Sequence, residues 1–190
     1  EENDYIINKA ENEKAVLILF PCFPCDKTNT KTEAKFLDKI ENEGITTILL
    51  DYNQKLYLDE FEKEDLAKRL NSILNENEIS KKNVFIGGFS SGGNITIILS
   101  NYLIEKHNEL QPKGVFIVDS PFDLEELYKS AQNDIKLNKN IEAVEEGKFL
   151  VNLFEQNLGN PETNIEKYKD LSPYLISQNS INNIKYLKNI

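Results

Sequence analysis

The residues best placed to do chemistry in this 190-residue chain are a serine set among glycines and a pair of cysteines. The serine stands in Val84-Phe85-Ile86-Gly87-Gly88-Phe89-Ser90-Ser91-Gly92-Gly93-Asn94, which carries G-x-S-x-G at Gly88, Ser90 and Gly92. The run before it is apolar and strand-like, and the run after it is amphipathic and helical. The sequence therefore predicts a strand-to-helix turn with Ser90 at its tip. Such a turn strains the serine backbone, and glycines two before and two after remove Cβ atoms that would collide. The hydroxyl is then presented at the carboxyl end of a sheet, beside helix N–H groups that favour an oxyanion. That is chemistry for nucleophilic attack on a carbonyl. The other reading is a glycine-rich turn that binds a phosphate or simply connects. The segment lacks the Gly-Lys-Ser/Thr ending of a phosphate loop and does not fit G-x-G-x-x-G.

A serine at neutral pH needs a base to take its proton. The single histidine, His107, lies 17 residues beyond Ser90 (107 − 90) on the helix that the serine turn opens. At ~1.5 Å per residue it stands some 20 Å or more away. It reads as a solvated residue at a helix C-terminus. Asp119 and Asp123 stand in Asp119-Ser120-Pro121-Phe122-Asp123, just after the apolar run Val115–Val118. The segment reads as a plain turn in which Asp123 caps a helix starting at Leu124. Asp51 reads as a strand-end turn residue.

Cys22-Phe23-Pro24-Cys25 is a C-x-x-C that follows a strand-like run. Strand, C-x-x-C, helix, strand resembles the start of a thioredoxin-like redox domain, which would make Cys22 and Cys25 a redox pair. In that fold the first cysteine opens a helix, whereas here Asp26-Lys27-Thr28-Asn29-Thr30 is expected to intervene before any helical pattern. A zinc site needs about four ligands, which two cysteines and a distant histidine cannot supply, so no metal is expected. The remaining reading is two loop cysteines, free or bridged, that shape the loop they stand in.

Four short apolar runs must position these groups: Ala15–Phe20, Thr46–Leu50, Val84–Ile86 and Val115–Val118. Each is β-branched or aromatic, is bounded by polar or turn residues, and reads as a buried strand. One helical pattern fills each gap. Thr32–Glu43 places Phe36, Leu37 and Ile40 on one face, with Gly44 as its stop. Asp59–Glu76 and Gly93–Lys106 follow in the next two gaps. This alternation predicts an α/β fold, a three-layer α/β/α arrangement with a mostly parallel sheet. Beyond Val118 the alternation ceases. Residues 120–180 read as a helical excursion of a single domain, notably over Ile141–Leu158, ended by Gly159 and Pro161. It either roofs a site or packs on one sheet edge.

Composition narrows the function. Lys+Arg total 22 and Asp+Glu 32, a net charge of −10. An acidic surface repels phosphate backbones and anionic lipid, so neither nucleic acid nor a membrane surface is an expected partner. No apolar run approaches the ~18 to 20 residues of a membrane span. Arg69 is the one arginine, which leaves little to clamp a carboxylate or phosphate and favours neutral or apolar substrates. No methionine occurs, as expected of a processed or partial chain, whether cytoplasmic or secreted after loss of a leader.

From the strand order and the turn Gly88-Phe89-Ser90-Ser91-Gly92, residues 15–120 resemble the α/β-hydrolase family. Leu171-Ser172-Pro173-Tyr174 is similar to a short Ser-Pro element that many members carry ahead of their next strand. The resemblance implies an α/β-hydrolase-type fold with Ser90 as nucleophile, the Ser91 N–H as one oxyanion donor, and a second donor from the loop after Ala15–Phe20. Pro21 and Pro24 have no N–H, and aligning Pro21-Cys22-Phe23 on the family's Pro-Gly loop gives the role to Phe23. It implies hydrolysis of an ester or other acyl bond in a small molecule through an acyl-enzyme, with no cofactor. In the family the acid follows the next strand and the histidine comes after the last. Both would lie beyond Ile190, so the chain is expected to lack those strands and that base. Some members place the acid after the strand corresponding to Val115–Val118, so the second possibility the resemblance implies is Asp119 or Asp123 as the acid. The alternatives are a thiol-disulfide protein using Cys22 and Cys25, and a non-catalytic binding module on the same fold.

Overall fold

The structure, a computed structural model, describes residues 4–52 and 55–190. Among these residues one sheet is formed by β1 (Tyr5–Asn8), β2 (Ala15–Phe20), β3 (Ile45–Leu50), β4 (Val84–Phe89) and β5 (Pro112–Val118). The strand order is β1-β3-β2-β4-β5. β2 lies parallel to both β3 and β4, and β4 parallel to β5, with Ile18 opposite Ile48 and Ile86 and with Phe89 opposite Val118. β1 runs antiparallel to β3.

Four of these strands are the four apolar runs. β1 has no counterpart in the sequence expectations, because Tyr-Ile-Ile-Asn is too short to show a period and all four residues are half-buried at the sheet edge. β5 departs in a second way. It was expected to be buried, but it forms the other edge, its middle is half-exposed, and Val118 keeps 46% of its surface open. It also starts earlier than expected, at Pro112, which the first position of an edge strand tolerates.

Alternate strand residues face opposite layers. Val16, Ile18, Phe20, Ile48, Leu50, Val84 and Ile86 pack under α3 (Glu60–Glu76) and α4 (Ser91–Glu105). Leu17, Leu19 and Leu49 pack against Ala34 and Leu37 on the other face, beside α1 (Lys27–Glu33) and α2 (Leu37–Asn42). The result is the expected three-layer α/β/α fold. The helix expected over Thr32–Glu43 is instead two helices. Asp26 starts the first early through a capping box, accepting from the Thr28 and Asn29 N–H groups while Asn29 accepts from the Asp26 N–H. Gly44, at φ +88, stops the second in the left-handed conformation a side chain would resist.

The described chain divides into two compact units, one running to Ser120 and including Asn183–Ile190, the other comprising Pro121–Asn182. The first holds the sheet. The second is helical, with α5 (Leu124–Leu137), α6 (Ile141–Asn157) and α7 (Pro161–Leu171). Its centre is Tyr128, Phe154 and Tyr168, all 1% exposed or less, with ring centroids 6.0 to 6.4 Å apart. Gly147 lets α6 approach the Ala131 carbonyl closely enough that a Cβ would come within 2.7 Å. Within this unit Ser172 accepts from the buried Leu124 N–H at 3.2 Å.

Candidate active site

β4 ends at Phe89 and α4 begins at Ser91, so Ser90 alone makes the turn. Its backbone sits at φ 49, ψ −121, a conformation that costs a non-glycine residue on the order of 1–3 kcal/mol. Two hydrogen bonds hold it there. The Ser90 N–H donates to the Val118 carbonyl at 2.8 Å, and the Ser90 carbonyl accepts from the Gly93 N–H at 3.0 Å. Although Ser90 occupies the N-cap position of α4, its hydroxyl makes no capping hydrogen bond.

The flanking glycines have separate reasons to be glycine. A Cβ on Gly88 would strike the Gly92 carbonyl, and a Cβ on Gly92 would strike the carbonyls of Phe20 and Pro21. A Cβ on Gly93 would strike the Ser120 hydroxyl, and one on Gly87 the Phe116 ring. With backbone as the obstacle at Gly88 and Gly92 and side chains at Gly87 and Gly93, the serine turn, the end of β2 and the exit of β5 are packed to contact. Ser120, Phe116 and the Val118 carbonyl were missed in sequence. The glycine pairs on both sides of Ser90 were the only signal of Phe116 and Ser120, since two extra glycines beyond the motif imply two extra close neighbours, and nothing signalled the Val118 carbonyl.

The loop after β2 contributes Pro21 and Cys22 to a small cleft that Phe20, Tyr52, Lys55 and Ser91 also line. Cys22 and Cys25 are joined by a disulfide, with Cα atoms 5.0 Å apart. Immediately beyond, Asp51 at the end of β3 accepts from the Lys27 N–H at 2.5 Å and pairs with the Lys27 ammonium at 3.0 Å. Asp51 thus fixes the start of α1 as well as ending a strand. Because α1 begins at Lys27, the expected non-helical stretch Asp26–Thr30 after the cysteines is corrected: the helix follows Cys25 almost at once. Tyr52 donates to the Glu62 carbonyl at 3.1 Å and to Asp65 at 3.3 Å. Burial first, and the nearby carboxylates of Asp65 and Glu62 second, push its phenol well above the ordinary tyrosine range. Lys55 pairs with Glu62 at 2.6 Å.

The first unit brings Ser90, Ser91, Cys22 and Phe23 to the same end of the sheet, with Ser91 buried and Phe23 half-buried. Asp119 is exposed at φ 51, one residue past Val118, which is itself the partner of Phe89. His107 is exposed, two residues past the far end of α4. Asp123 belongs to the second unit. One of its oxygens accepts from the Glu126 N–H at 3.0 Å and the other from the Ile176 N–H at 2.8 Å. Among the described residues, no three His, Cys, Asp or Glu side chains are grouped to hold a metal ion, and no helix is long and apolar enough to cross a membrane.

No family model matches the sequence, and no curated protein matches it. Solved structures do. An α/β-hydrolase superfamily protein from Enterococcus faecalis superposes with a TM-score of 0.52 at 22% identity, over 66% of this chain and 46% of its own. An esterase of the bacterial hormone-sensitive lipase family gives 0.53 at 14%, over 88% and 62%. A fluorophosphonate-binding serine hydrolase of Staphylococcus aureus gives 0.53 at 14%, over 82% and 69%. The chain has the α/β-hydrolase fold over the part of it that it spans, which is less than half the length of the Enterococcus protein. The thioredoxin-like arrangement, the other fold the C-x-x-C resembles, is not the one adopted.

Proposed function

We propose that the chain carries the nucleophile of a serine hydrolase that cleaves an ester or other acyl bond in a small, neutral or apolar substrate. One observation carries this reading: Ser90 is held at φ 49, ψ −121 with its hydroxyl unused by the helix it precedes. Strain of this kind persists only where its surroundings impose it, and here the hydrogen bonds of the Ser90 N–H to the Val118 carbonyl and of the Gly93 N–H to the Ser90 carbonyl hold it. Ser90 Oγ attacks the carbonyl carbon and gives up its proton to a base. The N–H groups of Ser91, on the first turn of α4, and of Phe23 hold the oxygen that becomes negative. The alcohol departs, and water hydrolyses the acyl-serine.

Of the two acids, Asp119 is the better candidate. It follows the strand that hydrogen-bonds Ser90, whereas both oxygens of Asp123 already serve backbone N–H groups. His107 is not the base. It lies beyond the far end of a 15-residue helix, ~22 Å along the axis from Ser90. The second reading is a hydrolase-fold module that binds a small molecule without turning it over.

A fluorophosphonate probe separates the two. The first reading expects covalent labelling of Ser90 by peptide mass mapping, and complete loss of labelling in Ser90→Ala with the circular dichroism unchanged. Folded wild-type protein that takes no label would leave the binding reading. Turnover of a disulfide substrate, lost in Cys22→Ser, would point instead to the redox alternative.

A further inference from the structure

The sheet ends at β5 in an edge that is open, apolar and thinly defended. Among the described residues no strand follows β5 in the sheet order. The Ser90 N–H donates to the Val118 carbonyl, so Val118 turns its backbone toward β4. By alternation Val115 and Ile117 turn theirs to the open side. Sheets blunt such edges with proline, bulges or charge. β5 has these only toward its start, where Pro112 and Lys113 stand and the register with β4 slips. Val115–Val118 carries none of them. One face of the edge is also apolar. Val118 is 46% exposed, Phe85 on β4 40% and Phe36 37%, and the Phe36 and Phe116 rings meet edge to face at 6.4 Å. The Phe85 ring lies against Gly114, 3.1 Å from where a Cβ would stand. An apolar patch beside an unpaired strand marks an interaction surface.

The pattern of β5 selects the occupant, because it is complementary to its own reverse. An antiparallel pairing of two copies centred on Phe116 sets Val115 opposite Ile117 of the second copy, so outward backbone groups meet outward backbone groups. The two Phe116 residues face each other across the axis. Val118 falls opposite Gly114 of the second copy, where no side chain obstructs it and the Phe85 ring lies beside it. At the ends, exposed Lys113 falls opposite exposed Asp119, once on each side of the axis. Sliding the register by two residues in either direction loses both the Lys113–Asp119 match and the Val118–Gly114 match. We propose that the chain forms a two-fold dimer through antiparallel pairing of β5 with β5 of a second copy, joining two sheets into one. The contact is isologous and closes at two copies. A carboxylate has two oxygens, so a lysine partner leaves one for the role given to Asp119 above. The inference stands apart from the serine-hydrolase reading.

The test is sedimentation velocity of the intact chain over a range of concentrations, at about 0.15 M salt to screen the net charge of −10 on each copy. The expected result is a reversible monomer–dimer equilibrium with a dissociation constant of roughly 1–100 µM. Val118→Lys sets a charge against Gly114 and Phe85 of the second copy and should abolish the dimer with the circular dichroism unchanged. Lys113→Glu and Asp119→Lys should each weaken it by about 10-fold. The double variant Lys113→Glu/Asp119→Lys should recover the wild-type constant, which loss of folding could not mimic. If Val118→Lys does not fold, this charge exchange decides. A double variant as weak as the single ones overturns the proposal, as does a dimer that none of the variants moves. A wild-type chain that stays monomeric up to about 1 mM also overturns it and leaves the edge to a strand of a different chain.

Discussion

The chain leaves a strand and enters a helix at two successive places, and it solves the two exits in opposite ways. From β4 into α4 the turn is one residue, strained, walled by backbone and uncapped by the Ser90 side chain. From Asp119 to α5 the chain takes several residues, and the helix N-terminus is closed by Asp123, whose carboxylate binds the Glu126 and Ile176 N–H groups. A helix start always leaves N–H groups without intrahelical partners. Closing them with a carboxylate gives stability. Leaving them without a side-chain cap next to a hydroxyl favours an anion that forms during a reaction. The first exit has the form of a site, and the second that of a joint.

The sharpest way to break the contrast is to refill the tight exit. Gly92→Ala puts a methyl against two backbone carbonyls that cannot swing away, those of Phe20 and Pro21. Overpacking against backbone should cost about 3 kcal/mol or more. Urea denaturation reads the loss. A variant as stable as the wild type would mean that the β2 loop can yield and that the contact positions nothing.

The joint should respond to a different change. Asp123→Ala removes the α5 cap and the partner of a backbone N–H that pins residues 172–180. A cap is worth about 1 kcal/mol and a hydrogen bond to a charged acceptor about 1.5–3, so the loss should be about 2.5–4 kcal/mol. Fluorophosphonate labelling of Ser90 should be unaffected under conditions where the variant remains folded. Labelling lost from a folded Asp123→Ala protein would return Asp123 to the active site and blur the contrast.

These two exits were also unequally legible in the sequence. Both were visible as turns, since G-x-S-x-G and Asp119-Ser120-Pro121-Phe122-Asp123 are local patterns with local causes. The bond of Asp123 to the Glu126 N–H could be read, because it spans three residues, whereas its bond to the Ile176 N–H, 53 residues away, could not. The packing at Gly87 and Gly93 could not be read either, because Phe116 in β5 and Ser120 just past its end come to them from elsewhere in the chain. The same division runs through the fold. β2, β3 and α3 have strong periods and were read to within a residue. β1 is held by pairing with β3, and the first residues of β5, Pro112-Lys113-Gly114, look like strand breakers until the neighbouring β4 supplies their partners. Where the cause of an element lies elsewhere in the chain, its own residues do not announce it.

A smaller effect sharpens the claim of strain. Ser90→Gly removes the Cβ at φ 49, where glycine is at ease. It should raise stability by about 1 kcal/mol while abolishing labelling. Ser90→Ala, which keeps the Cβ, should abolish labelling without that gain. If the two variants are equally stable, the turn is not strained and the main support for a nucleophile is lost.

The last contrast is one of pH. The closed exit carries a second buried carboxylate, Glu125 in the first turn of α5. Burial alone would raise its pKa, but hydrogen bonds from the Lys129 ammonium and the Ser177 hydroxyl outweigh this and hold the carboxyl below the ordinary glutamate range. A carboxyl lowered by folding contributes stability above its unfolded pKa of about 4.3 and loses it as the pH falls through the lower folded value. Glu125→Gln should therefore be less stable than the wild type at pH 7, by less than Asp123→Ala costs. The gap should narrow below about pH 4, where the wild-type carboxyl also takes up its proton. Chemical denaturation at a series of pH values checks this, with Ser90→Gly as the control whose gap should stay flat, because Ser90 does not titrate in this range. A Glu125→Gln gap that is the same at pH 3 and pH 7 would mean that the carboxylate charge contributes nothing at this joint and that packing alone closes it.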